Sequence, residues 1–187
     1  MLLDHPLPLL PWTLVLGVTF IAALVDARWR LIPNLLTAPL VVAGLTSAAA
    51  VGGWGGVGEA ALAGVVVASP FAVLFAVGGG GAGDAKLMAG VGACLGLRTG
   101  ALALLAVSLS GVVLALAFAA RRRRLETALA NVASIARGAL LPGVGVGSWH
   151  DVRDLVSSAD DGQKMPYGLA IFLGCVAAAT LWAWGVR

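Results

Sequence analysis

Residues 101–120, ALALLAVSLSGVVLALAFAA, carry no charged side chain and run directly into four arginines at positions 121–124. A helix of about 20 residues spans the roughly 30 Å hydrocarbon core of a bilayer. A basic cluster that follows an apolar stretch is typical of the cytoplasmic end of a membrane span. We therefore predict a transmembrane helix here and an all-α fold around it.

The composition of the whole chain agrees with this prediction. The 187 residues are 60% hydrophobic and only 11% charged, and the mean hydropathy is +0.98. This usage is too apolar for an ordinary soluble domain. We expect a single membrane-embedded domain covering residues 1–187, with the lipid bilayer as a partner and no nucleic acid. The two cysteines, Cys94 and Cys175, lie singly in apolar segments and are interpreted as core thiols.

Apolar stretches between charged and turn residues predict a polytopic bundle of six spans. The predicted spans are 8–25, 35–52, 59–77, 85–97, 101–120 and 167–185. The fourth is short and glycine-rich, so merging with its neighbours is an open alternative. The stretch GGWGGVG at 52–58 is predicted to be a turn outside the membrane.

The basic residues predict how such a bundle is oriented. With six spans, all lysines and arginines except Arg98 and Arg187 fall on one face. The positive-inside rule makes that face cytoplasmic, which places both termini on the extracytoplasmic side. The polar stretch 121–166 is then a cytoplasmic loop. Its opening arginines are interpreted as a stop to translocation, with substrate docking as the alternative.

A first motif, VDARWRLIPNLLT at residues 25–37, places Asp26 at the end of the first span. A carboxylate at this depth is costly unless it is solvated, paired or functional. The alternative to a functional acid is a loop acid neutralised by Arg28 or Arg30.

A second motif, VGGGGAGDAKLMAG at residues 77–90, leads a glycine-rich run straight into Asp84. Such a run lets another backbone approach closely. The alternative is structural, because Asp is a preferred N-cap residue whose charge suits a helix N-terminus.

A third motif, KMPYGLAIFLG at residues 164–174, begins the last span with Pro166 and Tyr167. Both residue types are ordinary at the start of a membrane helix, so the motif alone indicates little.

The predicted topology brings Asp26, Asp84 and the Pro166 segment to the same membrane face. Two neighbouring carboxyls can share a proton, so that one activates water while the other protonates a scissile carbonyl. Other chemistries lack their residues. Ser108 and Ser110 have no histidine nearby in sequence, and no HExxH motif is present to bind a metal. Neither a metal nor another cofactor is expected.

Three stretches, DARWRLIPN (26–34), GAGDAKL (81–87) and MPYG with LAIFLG (165–174), resemble the type IV prepilin peptidases in order and spacing. These are GxGD-type intramembrane aspartyl peptidases that include the archaeal preflagellin peptidases. The resemblance implies that Asp26 and Asp84 are the catalytic pair. It also implies substrate-binding or loop roles at matching positions, namely Gly81, Gly83, Lys86, Pro166, Tyr167 and Gly168.

The same resemblance implies a prepilin or pseudopilin substrate with a short basic leader, cleaved at the cytoplasmic face of the inner membrane. Larger members carry an N-terminal region with paired CxxC motifs and an N-methyltransferase activity. This sequence has no such region, so peptidase activity without methylation is expected, as in the short enzymes of tight-adherence (Flp) pilus systems. The alternatives are a proton- or ion-coupled transporter subunit, and a secretion scaffold with incidental acids.

Overall fold

The computed structural model describes residues 9–121 and 167–185, and this part of the chain consists of helices and short connections, without strands. The prediction of an all-α fold is therefore confirmed for these residues. The helices are α1 (Leu9–Trp29), α2 (Asn34–Ala76), α3 (Ala82–Arg121) and α4 (Tyr167–Ala183).

Three of these helices, α1 to α3, are long and apolar enough to cross a membrane, and α4 is a shorter apolar helix of 17 residues. The prediction of six separate spans is not supported by this set of four helices. The second and third predicted spans both lie in α2, and the fourth and fifth both lie in α3. The predicted position of both termini outside the membrane is likewise unsupported, since residues 1–8 and 186–187 lie outside the described residues.

Helix α2 folds back on itself at a single residue, Gly53, whose φ of 57° and ψ of −144° are non-helical. A Cβ atom placed on Gly56 would collide with the carbonyl oxygen of Ala48. Residues eight apart in a straight helix are about 12 Å apart, so the chain must reverse between them. The prediction that residues 52–58 form a turn is wrong about its length. The chain reverses at one left-handed glycine, and the residues on either side of it stay helical.

Helix α3 reverses in the same way at Gly96, which has φ 76° and ψ 175°. A Cβ atom on Gly100 would lie 3.3 Å from the Cα atom of Gly92, again eight residues away. The predicted fourth and fifth segments are thus the two limbs of α3, which meet at Gly96 with no loop between them.

Close backbone contacts between α2 and α3 form the centre of the bundle. A Cβ atom on Gly92 would lie 2.6 Å from the carbonyl oxygen of Ala63, and one on Gly64 would lie 2.9 Å from that of Ala89. Small residues permit this approach, which is a common way for apolar helices to pack. The largest fully buried apolar side chains belong to one core cluster, and both cysteines are buried and free, as predicted. These side chains are Val15, Leu40, Val67, Leu87, Met88, Val91, Val107 and Ile171.

Helices α1 and α4 lie side by side in opposite directions. The rings of Trp12 and Trp182 are 6.1 Å apart, and those of Phe20 and Phe172 are 5.3 Å apart. The numbering rises along α1 as it falls along α4. The end of α1 is therefore next to the start of α4, which brings the first and third motifs together.

Candidate active site

Asp26 lies in the last turn of α1, where it is buried with only 7% of its surface exposed. Its Oδ2 atom accepts a hydrogen bond of 2.8 Å from the backbone N–H of Gly168 in the first turn of α4. A buried carboxylate needs such a donor, because an unpaired charge in this environment is strongly disfavoured. The start of α4 thus holds the Asp26 side chain directly.

Gly168 leaves no room for a side chain at this contact. A Cβ atom there would lie 2.9 Å from Cβ of Asp26 and 3.2 Å from Cα of Ala23. Both distances are shorter than ordinary van der Waals contact. Glycine at position 168 is therefore what lets the N-terminus of α4 reach the acid.

The backbone of Asp26 is also held. Arg30, the residue that follows α1, adopts a left-handed φ of 53° and donates its N–H to the carbonyl oxygen of Asp26 at 2.8 Å. This is the αL type of helix ending, in which one bond satisfies an otherwise unpaired carbonyl. Asp26 is thus fixed through its side chain by Gly168 and through its main chain by Arg30.

Asp84 lies in the first turn of α3 and is as buried as Asp26, with 7% of its surface exposed. Its Oδ2 atom accepts the N–H of Gly81 at 3.2 Å, while its own N–H donates to the carbonyl oxygen of Gly81 at 3.2 Å. The bond from the Gly81 N–H to the Asp84 side chain is the half of a capping box that the third helical residue supplies. The N-cap role considered for Asp84 is taken by Gly81, and Asp84 is the third residue of the helix.

The segment that connects α1 to α2 packs against the start of the helix that carries Asp84. A Cβ atom on Gly83 would lie 2.8 Å from Cβ of Ile32 and 3.1 Å from the Ile32 carbonyl oxygen. The start of α3 therefore rests on the segment that directly follows α1. Asp26 and Asp84 are therefore carried by helix ends that meet at this segment. Tyr167 directly precedes Gly168, whose N–H binds Asp26.

A side-chain hydrogen bond spans the same junction at its surface. Nζ of Lys86 donates to Oδ1 of Asn34, the first residue of α2, at 2.9 Å. Both side chains are exposed. Sequence reasoning placed Lys86 in the site but did not find this partner, because nothing local relates two residues 52 positions apart.

The structure brings together most of the predicted site residues, and Pro166 lies outside the described residues. The predicted loop 121–166 also lies outside them apart from Arg121. The alternative of a loop acid neutralised by arginine is not supported, because Asp26 is buried while Arg28 and Arg30 are exposed. Within residues 9–121 and 167–185, no group of three or more His, Cys, Asp or Glu side chains is placed to hold a metal ion. The predicted site residues brought together at this end of the bundle are Asp26, Gly81, Gly83, Asp84, Lys86, Tyr167 and Gly168.

Comparison with known protein families gives a match. The type IV leader peptidase family matches residues 13–116, which is more than half of the chain and includes both acids. Tyr167 and Gly168 lie beyond the matched range. No curated protein and no solved structure matches the chain.

Proposed function

The chain belongs to the type IV leader peptidase family, and from this membership we propose that it is an intramembrane aspartyl endopeptidase with Asp26 and Asp84 as its catalytic pair. The substrates are type IV prepilin-like precursors, from which the enzyme removes a short basic leader. The observation that carries this proposal is the pairing itself. Two buried carboxyls lie at one end of the bundle, and each accepts a backbone N–H at the start of a helix.

The pair supplies both proton transfers that peptide hydrolysis requires. One ionised carboxylate takes a proton from a water molecule, and the resulting nucleophile attacks the scissile carbonyl carbon. The other carboxyl, protonated at the outset, donates its proton to the carbonyl oxygen. Collapse of the tetrahedral intermediate breaks the C–N bond. The departing amine takes up the proton that came from water, and a hydroxyl of the intermediate returns a proton to the other carboxylate, which restores the pair. No separate nucleophile is needed.

The glycine-rich segment at residues 78–83 gives the substrate a path to Asp84. Gly78 has a left-handed φ of 86°, and a Cβ atom placed on it would meet nothing within 4 Å. An extended substrate backbone can lie close to such a segment because side chains are largely missing from it. The apolar helix that follows the leader would pack laterally against the small-residue surfaces of the bundle.

The membrane arrangement we propose has one domain with six membrane-crossing segments and both termini outside. The reversals at Gly53 and Gly96 support it, since each divides a long helix into two antiparallel limbs. The site then lies at the cytoplasmic face of the inner membrane, where residues 121–166 form a loop. Water reaches a site at this level more readily than one at the midplane.

The closer assignment is to short peptidases of tight-adherence (Flp) systems, without N-methyltransferase activity. The transporter alternative is not favoured, because the family is one of peptidases and because both acids lie in terminal turns of their helices. A transporter would place its acids near the middle of its spans.

The proposal is tested by incubating a tagged candidate prepilin with membranes that contain or lack the protein, and by determining the product mass. We expect a single cut after the basic leader and an unmethylated new N-terminus. A precursor that stays at full length under conditions where the protein is present and folded would contradict the peptidase assignment. A methylated product would contradict only the assignment to peptidases without methyltransferase activity.

A further inference from the structure

We propose that Lys86 and Asn34 are positioning residues that hold the helix ends carrying Asp26 and Asp84 at the separation required for catalysis. This inference rests on the proposed function and assigns neither residue a contact with the substrate. It starts from the 2.9 Å hydrogen bond between Nζ of Lys86 and Oδ1 of Asn34. We call this pair the junction bond.

The location of the junction bond relates it to both acids. Lys86 comes two residues after Asp84 in α3, and Asn34 begins α2 directly after the connection that leaves the end of α1. The bond therefore joins the helix that carries Asp84 to the segment that follows Asp26. The apolar approach of Gly83 to Ile32 lies at the same junction.

The direction of the lysine side chain argues against a role in neutralising the neighbouring acid. Residues two apart in an α-helix point about 200° apart around the axis. Asp84 accordingly is buried, with 7% of its surface exposed, while Lys86 is exposed and reaches across to α2. The ammonium group thus acts on the connection rather than on the carboxylate.

An exposed hydrogen bond of this kind adds little to the stability of the whole bundle, which depends on the buried contacts between α2 and α3. Its effect on a two-acid site is larger. A misplacement of about 1 Å at reacting groups can reduce a rate by about 100-fold. Removal of the junction bond should therefore leave a folded protein with a slower chemical step.

The first experiment is a double-mutant cycle on precursor cleavage with Lys86→Ala, Asn34→Ala and the double variant. Each single variant should lower kcat by about tenfold with KM within about twofold of wild type, and the double variant should lose no more than the worse single. Asn34→Asp, which retains an acceptor for the ammonium group, should keep near-wild-type activity. Thr46→Ala, which removes an exposed side-chain hydrogen bond within α2, is the matched control.

Additive losses would overturn the proposal, because independent residues do not act through one bond. A raised KM in Lys86→Ala with normal kinetics in Asn34→Ala would also overturn it, and would assign Lys86 a contact with the substrate.

A second experiment needs no substrate, so it separates this proposal from the proposed function. Ile32→Cys and Gly83→Cys place two thiols where the connection meets α3, in a background without the native cysteines. Their Cβ atoms are near enough for a disulfide after a small shift. We expect oxidation to form this bridge readily in the parent and several-fold more slowly when Lys86→Ala is added.

The matched control is the pair Gly44→Cys and Ala93→Cys, which joins α2 to α3 deeper in the bundle, with Cβ atoms also near contact. Its bridging rate should not respond to Lys86→Ala. Equal bridging at positions 32 and 83 with and without Lys86 would overturn the proposal, as would failure of that bridge to form in the parent.

Discussion

The backbone N–H of Gly168 donates a 2.8 Å hydrogen bond to Oδ2 of Asp26, a residue 142 positions earlier in the chain. This bond connects the third sequence motif to the first. The PYG sequence therefore has a structural role, because the start of α4 supplies the hydrogen-bond donor that the buried acid requires. The last helix is thus part of the site as well as part of the bundle.

Substitution of Gly168 by alanine should inactivate the enzyme without unfolding it. The added methyl group would meet Cβ of Asp26 at 2.9 Å, so either the acid or the start of α4 must move. We expect precursor cleavage to slow by at least about tenfold, with cooperative thermal unfolding retained. The control is Gly17→Ala in α1, where a Cβ atom meets nothing within 4 Å. Normal activity in Gly168→Ala would show that the contact does not position Asp26.

The GxGD glycine at position 83 should be equally intolerant of alanine, but for a different reason. Its Cβ atom would lie 2.8 Å from Cβ of Ile32 and would push the start of α3 away from the α1–α2 connection. Cleavage should fall by at least about tenfold because Asp84 moves with that start. Gly58→Ala, which enters open space, is the comparison, and equal activity of the two variants would refute the close approach.

Replacement of Gly92 by alanine should destabilise the folded protein. A Cβ atom there would lie 2.6 Å from the Ala63 carbonyl oxygen and 2.9 Å from Cβ of Val67. Overpacking of this kind typically costs about 1–3 kcal/mol, so Gly92→Ala should lower the thermal unfolding midpoint in detergent. Gly55→Ala, a helical glycine facing open space, should leave the midpoint unchanged or raise it slightly. A midpoint unchanged in Gly92→Ala would argue against direct contact between α2 and α3.

Replacement of Arg30 by glycine should stabilise the folded protein. Its left-handed φ of 53° costs a residue with a side chain about 1–2 kcal/mol relative to glycine. Arg30→Gly should therefore raise the unfolding midpoint, whereas Arg30→Ala, which removes the charge but keeps Cβ, should not. If both variants behave alike, the charge of Arg30 rather than its backbone geometry determines stability at this position.

Sequence reasoning located the helices because hydropathy and charge are local properties. The last predicted span, 167–185, is close to Tyr167–Ala183, and the second begins one residue from Asn34. Sequence reasoning misjudged the connections between spans because a single glycine in a left-handed conformation can reverse a helix without a loop, as at Gly53 and Gly96. No composition or period distinguishes such a glycine from one inside a helix.

The two candidate acids were visible in the sequence for a related reason. Asp26 and Asp84 stand out because carboxylates are rare in apolar segments. Their supporting groups were less visible, since a backbone N–H such as that of Gly168 has no signature in the sequence. The same holds for Asn34, whose bond to Lys86 depends on the packing of α2 against α3.

The most direct test of the central claim is precursor cleavage by Asp26→Asn, Asp84→Asn and the double variant, with the exposed acid changed in Glu59→Gln as a control of similar size and charge. Expression in membranes should be matched across the set. The account predicts that each single variant loses at least about 100-fold of the activity and that the double variant loses little more, while Glu59→Gln cleaves like wild type. Wild-type cleavage by either aspartate variant would contradict the two-aspartate site.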